Sequence, residues 1–209
     1  MPDVGLVVAA AGRSDRFGGD RSKLLVNVQG TPLFCWCLRR LLAVVNGESI
    51  VLVVRSGMKE TYRAHLHNAN LPPGIDIVNG GPNRASSVLQ GIRSLPQHCG
   101  IVAIQDAARP LTPPELLVDC VAKARQHGSG VAARRVTDTI KIATADGKVI
   151  STPDRASLWA TETPQVFQRD LITEAYEFVC RKDISITDDA QALEIAGQSP
   201  FLVEHRHSN

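Results

Sequence analysis

The chain has 209 residues, 44% hydrophobic and 21% charged, which suits one substantial core in a single soluble domain. Its 23 basic and 21 acidic side chains leave a formal charge of only +2, so no overall field would draw it to nucleic acid or to a membrane surface. The opening "MPDVGLVVAAAG" has no basic region ahead of its apolar run, and no apolar stretch approaches membrane-spanning length. A cytoplasmic protein without leader or membrane helix is expected.

A first strand is predicted over "VGLVVAAA" from Val4, and it runs straight into "AAAGRSDRFGGDRSK", Ala9 to Lys23. Thr31-Pro32 then opens a helix carrying Cys35 and Cys37. Two residues apart on a helix, these side chains diverge, which disfavours a disulfide or a metal pair. With Cys99, Cys120 and Cys180 they make an odd set of 5 without a CxxC pair, expected reduced and mostly buried. "SIVLVV" from Ser49 and "GIDIV" from Gly74 read as further strands, followed after Asn83 by a helix with Val88, Leu89, Ile92 and Leu95 on one face. "GIVAI" from Gly100 is the next strand. Thr112, the two prolines after it and Glu115 predict a capping box opening a helix through Leu116, Leu117, Cys120, Val121 and Ala124. After a strand at "GVAA" from Gly130, two short alternating segments around Asp146-Gly147 predict a hairpin that buries little alone.

The strand runs are continuous rather than alternating, as expected for strands buried on both faces of a parallel sheet. Strand–helix alternation then implies an open, mostly parallel, Rossmann-like α/β sheet with right-handed crossovers. Ligands in such sheets sit beyond the carboxyl ends of the strands. The loop after strand one, "NGGPNRASS" and "QDAARP" all fall there.

The first loop fails the dinucleotide fingerprint, because Gly12 is followed by Arg13-Ser14-Asp15, and fails the Walker pattern, because Ser22 precedes Lys23. What remains is Gly12 for close backbone approach, with Arg16 and Lys23 as cations suited to a triphosphate, and Arg13 and Arg21 near them. A solvated surface loop is the alternative. Asp106, just past a buried strand end, is placed to hold Mg²⁺ together with substrate phosphates, with Arg109 as a second cation. Its alternative role is a turn cap.

These segments together resemble the 2-C-methyl-D-erythritol 4-phosphate cytidylyltransferase family. "AAAGRSDRFGGDRSK" is similar to its P-A-A-G-x-G-x-R-M-x-x-x-x-P-K signature, "GGPNRASSV" to G-G-x-x-R-x-x-S-V, and "DAARP" to its most recognisable run. "DTIK", "TPQVF" and "ITDDAQALE" resemble the later blocks, in the family's order. The resemblance implies a nucleotidyltransferase fold of the nucleotide-diphospho-sugar transferase type, one domain over residues 1–209. It also implies a protruding β-arm, at about residues 137–154, that clasps a second subunit in a homodimer. The implied reaction is cytidylyl transfer from CTP to 2-C-methyl-D-erythritol 4-phosphate, with Mg²⁺ as cofactor and pyrophosphate as by-product. By position, Ala10, Ala11 and Gly12 would lie against the nucleotide, and Gly80, Gly81 and Ser87 would face the cytosine. Arg16, Lys23 and Arg155 would form the catalytic set, Arg16 and Lys23 on the phosphates. Asp106 would meet the metal and the sugar phosphate; Ala107, Arg109, Thr139, Arg155 and Thr163 would shape the acceptor pocket.

Several positions depart from the pattern. Ala9 stands for a proline, Ser14 for a glycine, Ser22 for the proline before the lysine, and Leu24 follows it. Pro82 replaces an aspartate near the base, and a proline side chain accepts no hydrogen bond. The closing "VEHRHSN" resembles the run into an I-K segment whose lysine contributes to the phosphate site, and the sequence given stops at Asn209. His205 and His207 are expected to be polar residues at a strand edge rather than a metal pair. Two other functions fit the same residues: a ribitol 5-phosphate cytidylyltransferase, and a CTP-binding paralogue without turnover. The "AAAG" opening argues against the first, and the joint presence of Arg16, Lys23 and Asp106 against the second.

Overall fold

The apolar runs do form strands. In chain order they give β1 (Val4–Ala10), β2 (Asn27–Val28), β3 (Thr31–Pro32), α1 (Leu33–Leu41), β4 (Ile50–Val54), α2 (Lys59–Asn68), β5 (Asp76–Asn79), α3 (Arg84–Ser94) and β6 (Ile101–Asp106). Then come α4 (Pro114–His127), β7 (Ser129–Arg135), β8 (Ile142–Ala143), β9 (Val149–Ser151), β10 (Trp159–Gln168), α5 (Arg169–Arg181), α6 (Asp189–Ile195) and β11 (Leu202–Glu204). This computed structural model describes residues 1–12 and 22–207, so the expectations for Arg13, Arg16 and Arg21 lie outside the described residues.

Among the described residues, seven strands make one sheet in the order β11-β7-β10-β6-β1-β4-β5. β1 is parallel to β4 and β6, β4 to β5, and β11 to β7; only β10 runs antiparallel, between β6 and β7. The sheet is therefore open, mostly parallel and Rossmann-like. Ala9 pairs with Asp106, Ala10 with Val54, and Val54 with Asn79. That register brings the loops after β1, β4, β5 and β6 out along one edge.

Both faces of the sheet are covered. Leu6 and Val8 of β1 point toward α1, α2 and α4, where Phe34, Leu38, Tyr62 and Leu117 are buried. Val7 points the opposite way, toward α3, α5 and α6, among Val88, Ile92, Ile172 and Leu193. Each fully buried aliphatic or aromatic side chain contributes roughly 1.5–3 kcal/mol, so this double layer carries the stability. Gly91 lets α3 come close: a Cβ there would lie 2.6 Å from Val7 Cγ1 and 2.7 Å from Val53 Cγ2. The close fit sets α3, with Arg84 at its start, directly over the sheet.

One expectation is corrected, and another holds in part. Thr112 does not cap α4; Pro113 holds the cap position, and Thr112 Oγ1 instead accepts from Gln105 Nε2 at 2.9 Å and donates to the Arg109 carbonyl at 3.1 Å. A wholly buried threonine next to a buried glutamine satisfies that neighbour before it satisfies a helix end. Thr31-Pro32 does lead into α1, with Pro32 at the cap position, but without a side-chain cap, because those residues also pair with β2 as a short ribbon.

The hairpin is present. β8 and β9 pair antiparallel around Gly147, which adopts φ +87, and their side chains are exposed. β10 carries an irregularity between Thr161 and Gln165, including a cis Thr163–Pro164 peptide, at the same edge as Asp106. Such a break in register re-aims side chains.

Candidate active site

The loop edge holds a cleft of about 550 Å³ and, beside it, a smaller cavity of about 250 Å³. Asp106 and Arg84 line both.

In the larger cleft, Ala9, Ala10, Ala11 and Gly12 form the wall that continues β1, and Lys23 and Arg55 bring positive charge. Lys23 begins a short turn, Lys23–Leu25, where Ser22 Oγ accepts from the Leu24 N–H. The opposite wall is Gly81, Pro82, Asn83, Arg84 and Ser87. Asn83 caps α3: its Oδ1 accepts from the Ser86 N–H at 2.8 Å, and Ser86 Oγ accepts from the Asn83 N–H at 3.2 Å. Ser87 Oγ accepts from the Gly81 N–H at 3.0 Å and donates to the Asn83 carbonyl at 2.7 Å, which braces the turn from within. Gly80 lies behind this wall; a Cβ there would be 2.7 Å from both the Ala11 Cβ and Ser87 Oγ. Only glycine allows that approach, so the turn can close against the end of β1. A surface of backbone, small side chains and a helix N-terminus suits a nucleotide.

The smaller cavity is lined by hydroxyls and charges. Thr161, Thr163 and Thr187 supply the hydroxyls, Arg84 and Arg109 the guanidinium groups, and Asp106, Glu162 and Asp188 the carboxylates, with Gln165 beside them. Asp188 Oδ2 accepts from Thr161 Oγ1 at 2.9 Å and from Gln165 Nε2 at 3.1 Å. The Asp106 N–H donates to Thr163 Oγ1 at 3.1 Å, tying β6 to the irregular part of β10.

Several of these charges are paired. Arg84 Nη1 donates to Asp106 Oδ1 at 3.1 Å, and Arg84 Nη2 donates to Asp189 Oδ2 at 2.9 Å. Asp189 is wholly buried, and the Tyr176 hydroxyl also donates to it. Burial pushes the Asp189 carboxyl up, while Arg84 and Tyr176 pull it back. Arg84 is held charged, first by Asp189 and then by Asp106. Burial raises the Tyr176 hydroxyl, and the Asp189 charge raises it further. On the other side, Arg109 Nε is 3.7 Å from Asp106 Oδ2 and Arg109 Nη1 is 3.2 Å from Glu162 Oε2.

Among the described residues no group of three metal-ligating side chains gathers. A single carboxylate, about one third exposed between two cavities, fits a magnesium ion whose other ligands are substrate phosphates and water. Asp106 is the carboxylate that the two cavities share.

Of the residues singled out from sequence, Ala10, Ala11, Gly12, Lys23, Gly81, Ser87 and Asp106 line the larger cleft, and Asp106, Arg109 and Thr163 the smaller. Ala107 is wholly buried beside them, its N–H donating to the Ala9 carbonyl at 3.2 Å. Thr139 and Arg155 are exposed and line neither cavity; they flank the hairpin, with Arg155 Nη1 donating to the Thr137 carbonyl at 2.9 Å. Arg84, Glu162, Gln165, Thr187, Asp188 and Asp189 were not singled out. Arg84 lies inside "GGPNRASSV" and the aspartates inside "ITDDAQALE", so the segments carried a signal that the individual residues did not.

His205 does stand at the sheet edge, directly after β11, with its N–H donating to the Ala133 carbonyl at 3.1 Å. Its side chain turns inward and is 2% exposed, with Nε2 3.6 Å from Glu162 Oε2. His207 is near it, with ring centroids 6.1 Å apart.

No helix among the described residues is long and apolar enough to cross a membrane. The family model for IspD, 2-C-methyl-D-erythritol 4-phosphate cytidylyltransferase, matches residues 4–209. The chain is 38% identical over 207 residues to the enzyme of that name from Microcystis aeruginosa, covering 98% of this chain and 90% of the relative. It is 34% identical over 205 residues to that of Alkaliphilus oremlandii, covering 98% and 87%. Among solved structures, the 4-diphosphocytidyl-2C-methyl-D-erythritol synthase of Anaerococcus prevotii superposes with a TM-score of 0.85 at 26% identity, covering 100% of this chain and 91% of that one. The fold is also that of the cytidylyltransferase from Thermus thermophilus, with a TM-score of 0.77 at 24% identity, covering 98% of this chain and 89% of that one. A shared fold, a match along almost the whole sequence and two cavities meeting at Asp106 agree: the chain belongs to the 2-C-methyl-D-erythritol 4-phosphate cytidylyltransferase family.

Proposed function

We propose that the protein transfers the cytidylyl group of CTP to 2-C-methyl-D-erythritol 4-phosphate, giving 4-diphosphocytidyl-2-C-methyl-D-erythritol and pyrophosphate. The observation that carries this reading is the junction of the two cavities at Asp106 and Arg84. The larger takes CTP, with its base toward Gly81 and Ser87 and its phosphates toward Gly12 and Lys23. The smaller has the hydroxyls of Thr161 and Thr187 and the Asp188 carboxylate to receive a polyol, and a guanidinium, Arg109, for its phosphate.

An acceptor phosphate oxygen attacks the α-phosphorus in line. The new P–O bond forms as the bond from that phosphorus to the bridging oxygen breaks, and pyrophosphate leaves with the electron pair. A phosphate monoester is already ionised near neutrality, so the chain needs no general base. Its task is alignment and charge neutralisation. Lys23 and Arg16 steady the triphosphate, Arg109 orients the nucleophile, and Asp106 is the residue that would hold Mg²⁺. That ion, when bound, supplies Lewis-acid neutralisation of the reacting phosphates.

The hairpin is the dimer arm in this reading. Ile140, Ile142, Val149 and Ile150 are 39%, 50%, 54% and 64% exposed, an apolar ribbon without a core of its own. Thr139 and Arg155 at its base would then complete the acceptor pocket of the neighbouring subunit.

Pyrophosphate release with CTP and Mg²⁺ tests the assignment, comparing methylerythritol 4-phosphate with ribitol 5-phosphate. Release with the first alone supports it. Release with the second alone keeps the mechanism and changes the acceptor, and CTP binding without release under either condition points to a non-catalytic paralogue.

A further inference from the structure

Glu162 is 5% exposed, and a carboxylate so buried is costly unless its charge is met. Among the described residues two arginines meet its charge, and a buried histidine lies close by. Arg134 of β7 donates from Nε to Oε1 at 2.7 Å. Arg109, from the loop after β6, brings Nη1 to 3.2 Å from Oε2, and His205, from the segment after β11, brings Nε2 to 3.6 Å from the same oxygen. Glu162 itself stands on the irregular part of β10, clamped between β6 and β7. One oxygen is thus fixed to the sheet, and the other is offered to a loop.

Arg109 needs that offer. Its backbone is tied down, with the N–H donating to the Asp106 carbonyl at 3.1 Å and the carbonyl accepting from Thr112 at 3.1 Å. The side chain is less constrained: its contact with Asp106 Oδ2 is 3.7 Å, longer than a hydrogen bond. A free arginine side chain loses rotamer entropy when it grips an anion, whereas one already held by a rigid partner loses less.

We infer that Glu162 is the positioning residue for Arg109, holding its guanidinium at the wall of the smaller cavity with the remaining N–H edges available to an anionic acceptor. The inference rests on reading that cavity as the acceptor site. Glu162 acts through Arg109, so its removal is read first in acceptor recognition.

The test is steady-state kinetics with CTP, Mg²⁺ and methylerythritol 4-phosphate on the wild type, Glu162→Ala, Glu162→Gln, Arg109→Ala and the Glu162→Ala/Arg109→Ala double variant. Glu162→Ala is expected to raise the acceptor KM about tenfold, the size of a lost charge-assisted hydrogen bond, with CTP KM and kcat within about twofold. Glu162→Gln retains an oxygen that accepts from Arg109 and should recover most of the loss. In the Arg109→Ala background, Glu162→Ala should add nothing to the acceptor KM. An unchanged acceptor KM in Glu162→Ala overturns the inference, as does an equal effect with and without Arg109. Where Glu162→Ala does not fold, Glu162→Met, which fills the space without an accepting oxygen, takes its place in the same cycle and in the crystal. Should the wild type turn over no acceptor, the reading of the cavity fails by itself. Crystal structures of the wild type and Glu162→Ala then decide: an unmoved Arg109 guanidinium overturns the positioning role, and a displaced one upholds it.

Discussion

Arg84 Nη2 lies 2.9 Å from Oδ2 of Asp189, a carboxylate with no exposed surface that sits 105 residues further along the chain. The other end of the same guanidinium reaches Asp106. One side chain at the start of α3 therefore joins the nucleotide turn, the metal-binding candidate and the buried start of α6. Arg84→Ala should cost about 3–5 kcal/mol, because it leaves a buried carboxylate without its cation. Removing Asp189 as well should return part of that loss. Urea unfolding of the two single variants and the double variant reads the coupling, expected above about 1 kcal/mol. Simple additivity would mean that the pair does not act as a unit.

Asp106 faces Arg84 on one side and Arg109 on the other. Asp106→Asn keeps the shape and an acceptor oxygen but removes the charge. Acceptor KM and the Mg²⁺ concentration needed for half-maximal rate should rise together, each by about tenfold or more, since a charge-assisted contact is worth roughly twice a neutral one. CTP affinity measured without metal should stay close to wild type. A change confined to CTP affinity would reassign Asp106 to the nucleotide.

The parallel centre of the sheet was legible because β1, β4 and β6 are buried on both faces and so read as continuous apolar runs; β10 and β11 are not so along their length and were not legible as strands. The hairpin was legible because Asp146-Gly147 names its own turn. The larger cleft was legible for a similar reason: Gly12, Lys23 and Asp106 follow strand ends in sequence and stand at strand ends in space. The smaller cavity was not. Glu162 and Gln165 sit on an antiparallel strand inserted late in the chain, and the irregularity that turns them toward Asp106 leaves no pattern in the residues around it. The place of His205 at a strand edge was legible, but its burial against Glu162 was not, because nothing in the sequence shows the carboxylate that faces it. Thr112 carried a helix-start signal, but the buried amide of Gln105 took its hydroxyl.

Lys23 is exposed and begins a short turn at the mouth of the larger cleft. Lys23→Ala should leave stability within about 0.5 kcal/mol of wild type, as for an exposed position away from the core. Turnover should fall at least a hundredfold, because the lost cation acts where charge builds at the phosphorus under attack. Single-turnover rates beside thermal melts separate the two effects. Near-normal turnover with an intact fold would remove Lys23 from the phosphate site.

His205 gives the acid side of the stability profile a defined direction. Burial lowers its pKa, as do His207, Arg134 and Arg109 nearby, and only Glu162 opposes them. In the unfolded chain the imidazole titrates near its ordinary value of about 6.5, so just below that pH the unfolded state binds more protons than the folded state. Stability is then full above about pH 6.5 and declines as the pH falls from there toward the lowered folded value. Asp3 does not share this window: Arg125 holds its carboxyl below the ordinary range, so its contribution is lost only at still lower pH. His205→Gln removes the titrating ring but keeps a polar group of similar reach. The difference in melting temperature between about pH 7.5 and pH 5.5 should therefore shrink in the variant, and equal differences in both proteins would mean that His205 binds protons alike folded and unfolded.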